Sequence, residues 1–151
     1  MADFTEKFIE VHEPLYVLHP ISVTNGAAVY TSYVSLANYH RAFILINVGV
    51  MQSGATLDAV VYQAVDTAGS GTPKVLSPTK AITQLTQAGS DSNSIVGIEI
   101  RTEELDVTNG FDCIALAYTV GTAAIIMSIE IWGCVPRYAP APVTDWNEVV
   151  A

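Results

Sequence analysis

Five segments of the chain repeat apolar residues with a period of two, and no ten-residue window presents an apolar helical face. That period belongs to a strand with one buried side, because successive side chains of a strand point to opposite faces. Residues 41–50 (RAFILINVGV) put Ala42, Ile44, Ile46, Val48 and Val50 on one face and Arg41, Phe43, Leu45, Asn47 and Gly49 on the other. Residues 56–66 (TLDAVVYQAVD) send Leu57, Ala59, Val61 and Val65 one way, with Gln63 as the polar exception. Residues 94–101 set Val96, Ile98 and Ile100 against Glu99 and Arg101. Residues 112–119 alternate Ile114, Leu116 and Tyr118 with Cys113, Ala115 and Ala117. In residues 123–134, Ala123, Ile125, Met127, Ile129 and Ile131 oppose Ser128, Glu130, Trp132 and Cys134.

Weaker strands are expected at 16–24 and 28–36, on either side of Asn25-Gly26, and a short one around 81–86. Asn-Gly is a strong two-residue hairpin signal because both turn positions take positive φ. Gly121 is read as the tight turn between the last two strands, and residues 102–105 as at most a short helical turn. Strands at this spacing, joined by turn-rich connections, predict an all-β antiparallel sandwich or barrel. The preferred form is a jelly roll of about eight strands. An immunoglobulin-like sandwich comes second, since the Cys…Trp…Cys pattern with immunoglobulin spacing is absent. The boundaries read from composition are an N-terminal arm at 1–14, a β-sandwich domain at 15–135 and a Pro-rich arm at 136–151. The arms carry Phe4, Phe8, Tyr138 and Trp146, and they either pack on their own domain or reach across a neighbour.

Charge narrows the partners. Only 14% of the residues are Asp, Glu, Lys or Arg, against about 25% in an average soluble domain. Fifteen acids face six scattered bases, a net charge of −9, so nucleic acid and anionic membrane surfaces are excluded as expected partners. A chain with so much apolar and so little charged surface is expected to cover part of it in an assembly. The start MADFTEKFIEVHEPL lacks the basic stretch and apolar run of a signal peptide. Residues 120–134 are interrupted by Glu130 and are too short for a membrane helix. Synthesis in a cytoplasm is expected.

No pattern of catalytic residues emerges. His12, His19 and His40 form no HxH or HxxxH pair, so no metal or other cofactor is expected. Cys113 and Cys134 read as buried small hydrophobes, with a cross-strand disulfide as the alternative. Glu103, Glu104, Asp106 and Asp112 crowd one segment. They suit a solvated connection better than calcium ligands or a glycosidase acid pair. Seven tyrosines raise a carbohydrate-binding module of a fibre or tail as the alternative function, provided some of them cluster at the surface.

Four blocks carry a resemblance: YVSLANYHRAFILINVG (33–49), SGATLDAVVYQAVDTAG (53–69), VGIEIRTEELDVTNGFDCIAL (96–116) and WGCVPRYAPAP (132–142). Together, over roughly residues 30–142, the chain resembles small virion proteins of tailed bacteriophages, of the capsid decoration (cement) type. The resemblance implies a jelly-roll or sandwich fold closed by a final hairpin. It also implies a homo-oligomer, a trimer by preference, on the capsid surface, with the major capsid protein as partner and no catalytic residues. Phe4, Phe8, Trp132, Tyr138 and Trp146 are the expected assembly contacts.

Overall fold

In the computed structural model, the structure describes residues 6–138. These residues form two antiparallel sheets packed face to face, the all-β sandwich that the alternation predicts. Sheet A runs β1 (His12–Val23), β10 (Ile125–Pro136), β4 (Tyr39–Met51), β8 (Ser94–Arg101) from edge to edge. Sheet B runs β2 (Val29–Tyr30), β9 (Cys113–Gly121), β5 (Thr56–Ala64), β6 (Lys74–Val75), with β3 (Val34–Ser35) also on β9 and β7 (Leu85–Thr86) also on β5. The five long strands after β1 therefore alternate between sheets as the chain proceeds: β4 in A, β5 in B, β8 in A, β9 in B, β10 in A.

The core lies where the two inner faces meet. Ile44 and Ile46 of β4, Ile100 of β8 and Ile125, Met127, Ile129 and Ile131 of β10 are buried there with Leu57 and Val61 of β5 and Ile114, Leu116 and Val120 of β9. The period-two reading holds along β4 as far as Val48. There three residues of β4 span two of β10, with Val48 opposite Met127 and Met51 opposite Ile125. The extra residue is a bulge, and it inverts the alternation. Val50 turns out to solvent, 56% exposed, and Met51 takes the buried place expected of it. Gln63 is buried for a structural reason: its Oε1 accepts the Asp106 N–H at 2.9 Å, tying the 102–110 connection to β5.

Several local expectations are corrected. Asn25-Gly26 is not the turn of a hairpin: β1 pairs with β10 in sheet A, while β2 pairs with β9 in sheet B. The dipeptide is instead the point where the chain changes sheet. Asn25 takes the place of a strand residue at the edge of β9. Its side-chain amide donates to Tyr118 O at 3.3 Å and accepts from Val120 N at 2.6 Å, and Gly26 N donates to Val120 O at 3.0 Å. Asn25→Ala leaves a buried backbone N–H without its acceptor, and a loss of about 1–3 kcal/mol is expected; the urea midpoint measures it. Gly121 likewise joins strands of different sheets, β9 to β10, so the last two strands are not a closing hairpin.

The ladders also take in residues that composition assigned to the arms. β1 begins at His12, opposite Cys134, and β10 continues to Pro136, opposite Tyr39. Pro14 and Pro20 fit in β1 because it is an edge strand whose register with β10 shifts between Pro14 and Tyr16 and between Leu18 and Ile21. Before it stands a four-residue helix, α1 (Phe8–Val11), where no helix was expected. Lys7 N donates to Glu10 Oε2 across its first turn at 2.8 Å. So short a helix is marginal alone and gains its support from Phe8 packing on sheet A. The short turn expected at 102–105 is a 3-10 helix, Thr102–Glu104, followed by another at Val107–Asn109. Residues 1–5 and 139–151, and with them Phe4 and Trp146, lie outside the described residues.

Candidate interaction surface

The outer face of sheet A is set by the same register that builds the core. Trp132 of β10 stands opposite Phe43 of β4, and the next outward pair is Glu130 and Leu45. Two adjacent interior strands thus carry large apolar side chains on the face that the core does not use. Phe43 reaches over β8, where Gly97 leaves room for it: a Cβ at Gly97 would come within 2.8 Å of the Phe43 ring. Helix α1 supplies the far wall. The Phe8 ring stacks on His12 (4.2 Å between centroids, 12°) and meets Trp132 edge-on at 5.7 Å. His12 Nδ1 lies 3.0 Å from Phe8 O, which fixes the imidazole across the helix end.

These side chains enclose a concave, mainly apolar pocket of about 300 Å³, lined by Phe8, His12, Phe43, Leu45, Trp132 and Cys134 with the Glu130 carboxylate at one side. Trp132 Nε1 donates to Glu130 Oε2 at 2.9 Å, so the indole is held in place and its polar atom is satisfied without water. Phe8 is 58% and Phe43 37% exposed. Ordinary surfaces scatter single apolar residues; here two phenylalanines and a tryptophan wall one hollow.

Two of the expected contact residues, Phe8 and Trp132, are brought together here. Tyr138 follows the end of β10, is 79% exposed, and is not among the residues lining the pocket. Phe43, Leu45 and His12 line it too and are not among the expected contact residues. The signal was present in the mixed outer face of residues 41–49, but a lone Phe or Leu on a polar face marks nothing until its neighbours across the sheet are known.

The remaining candidates resolve into structural roles. Cys113 lies in sheet B and Cys134 in sheet A, and both thiols are free. Burial, helped by the Asp112 carboxylate, pushes the Cys113 thiol up to about 12, and burial takes Cys134 to about 11; neither is activated as a nucleophile. The acids of 103–112 are dispersed among different partners. Arg101 pairs with Glu103, Lys80 with Glu104 and Lys74 with Asp106. The Arg101 backbone N–H bonded to Glu104, and Lys74 with Asn109 bonded to Asp106, hold those two carboxyls below the usual range. His19 and His40 are exposed on β1 and β4. Among the described residues no group of three His, Cys, Asp or Glu is placed to hold a metal ion, and no helix is long and apolar enough to cross a membrane. A larger, shallow depression of about 590 Å³ beside β8 is lined by no aromatic residue, and its charged groups, Lys80 and Glu99, are already in ion pairs.

Neither protein-family models nor curated proteins yield a match to this chain.

Proposed function

We propose that this is a structural virion protein, a capsid decoration (cement) protein that binds the assembled head of a tailed bacteriophage as a homo-oligomer, in the form of a trimer. Its partners in this reading are the major capsid protein and further copies of itself, and it works without catalysis or cofactor. The observation that carries the reading is the aromatic pocket on the outer face of sheet A, a preformed hollow in a chain of low charge. Tryptophan anchors in desolvated hollows dominate binding energy at protein interfaces, and permanent interfaces are more apolar than ordinary surface.

We also read the sandwich as a jelly roll. The sheet orders β1-β10-β4-β8 and β2-β9-β5-β6 support this. The first and last strands are neighbours in one sheet, and successive long strands cross between sheets, as in two interlocked Greek keys. The first and last of these strands, β1 and β10, lie side by side in sheet A, the sheet that carries the pocket.

The mechanism is bracing. A protein that binds the assembled lattice, and not its free subunits, stabilises the lattice by mass action. The test combines light scattering on the purified chain with co-sedimentation on undecorated capsids of the phage that encodes it. The expected result is a particle of three chain masses that saturates capsid sites and raises the temperature of capsid disruption. A monomer at micromolar concentration that stays in the supernatant overturns the proposal.

A further inference from the structure

The outer face of sheet B carries a second, chemically different site, and its argument does not depend on the capsid reading. Register brings it together. Tyr62 of β5 stands opposite Ala115 of β9, Val60 opposite Ala117, and Asp58 opposite Thr119, while Tyr30 of β2 pairs with Ala117 from the other side. The central strand therefore carries methyl groups where the strands flanking it carry phenol rings. The result is a trough of about 250 Å³, which segment 81–82 closes along one side. The rings of Tyr30 and Tyr62 meet at 5.1 Å and 80°, forming a corner, and Tyr33 stacks behind Tyr30 at 6.4 Å. Tyr30 is 45% exposed. At the opposite end Asp58 Oδ2 accepts from Gln84 Nε2 at 2.6 Å. A carboxylate offers about four acceptor positions, and the amide takes one.

We infer that this trough binds a neutral saccharide. A pyranose has an apolar C–H face, which suits an aromatic wall, and a rim of hydroxyl groups, which suits the Asp58 carboxylate, with Gln84 bonded to it, and the Thr119 hydroxyl of the lining. The trough lies below the roughly 300 Å³ lower end of drug-sized pockets, so it takes one sugar residue of a chain at a time. Asp58 and the net charge of −9 select against anionic sugars.

Saturation-transfer difference NMR on the full chain tests the inference. The probes are glucose, galactose and N-acetylglucosamine oligosaccharides, with sialyllactose as the anionic comparison. Saturable binding of at least one neutral probe is expected, with the strongest transfer to the ring C–H protons. Tyr30→Ala is expected to weaken it at least tenfold, a difference of about 1.4 kcal/mol, and Asp58→Ala by several-fold, while Ile95→Ala on the other sheet leaves it unchanged. Circular dichroism confirms that each variant is folded. Tyr30 lies on a two-residue edge strand, so its loss spares the core; were Tyr30→Ala nonetheless unfolded, Asp58→Ala decides. No transfer to any neutral probe at millimolar concentration, transfer confined to sialyllactose, or affinity unaltered by the trough variants overturns the inference.

Discussion

Replacing Ile129 with alanine is expected to cost about 4 kcal/mol, while the same replacement at Ile95 changes stability by less than about 0.5 kcal/mol. Ile129 is fully buried on an interior strand, in register with Leu18 of β1 and Ile46 of β4. The substitution removes three carbons, about 2.5 kcal/mol of transfer free energy at ~0.8 kcal/mol each. The neighbours belong to two hydrogen-bonded sheets and cannot close the hole, which adds a cavity term of about 1–2 kcal/mol. Ile95 is the same residue type on an equally regular strand, yet it is 70% exposed on the outer face of β8. Urea unfolding of the two variants reads the difference, and the midpoint of a thermal melt should fall by roughly 10 °C or more for Ile129→Ala alone. Equal losses at the two positions would mean that the assignment of inner and outer faces in sheet A is wrong.

Trp132→Ala is expected to leave the fold intact and weaken capsid association at least 30-fold. The indole is only half-buried in the isolated chain and forms the floor between Phe8 and Phe43, so its removal deletes the hollow without opening the core. Tryptophan hot spots cost about 2–4 kcal/mol on truncation, which corresponds to factors of about 30 to 1,000. Glu130 also loses its indole partner, at a position open to water on one side. Phe43→Ala should weaken binding in the same direction by less, because Phe43 contributes one wall. Co-sedimentation at graded concentrations gives both values. Unchanged affinity in Trp132→Ala would move the docking surface elsewhere and leave the oligomer measurement as the remaining support for an assembly role.

The two surfaces make separable demands on one fold. Trp132 and Phe43 are outward residues of sheet A; Tyr30 and Tyr62 are outward residues of sheet B. They stand on opposite sides of the core. Variants more than 7–10 Å apart without shared partners act additively, so Trp132→Ala should leave the response to saccharide alone, and Tyr30→Ala the response to capsid.

How much of this was legible beforehand depends on the range of the interaction. The residues that alternate in 41–50, 56–66, 94–101, 112–119 and 123–134 are strands in the structure to within a few positions, because the side-chain period is a property of each residue and its immediate neighbours. Trp132 and Phe8 were legible as apolar residues with no evident core role. Phe43, Leu45 and the three clustered tyrosines were not, because each becomes part of a surface only through a partner on another strand. Asn25-Gly26 shows the same limit. Positive φ makes the chain turn there, but turn chemistry does not say whether the strands on either side pair with each other or enter different sheets.

By itself, then, the sequence determined that the chain is made of strands and which side of most strands is apolar, since both follow from a two-residue repeat. Tertiary structure alone decided the neighbours: which strand lies beside which, where the bulge after Val48 turns Val50 outward, and which aromatic rings meet at the surface. Those outcomes rest on pairings between residues tens of positions apart, and no local pattern of side chains encodes them.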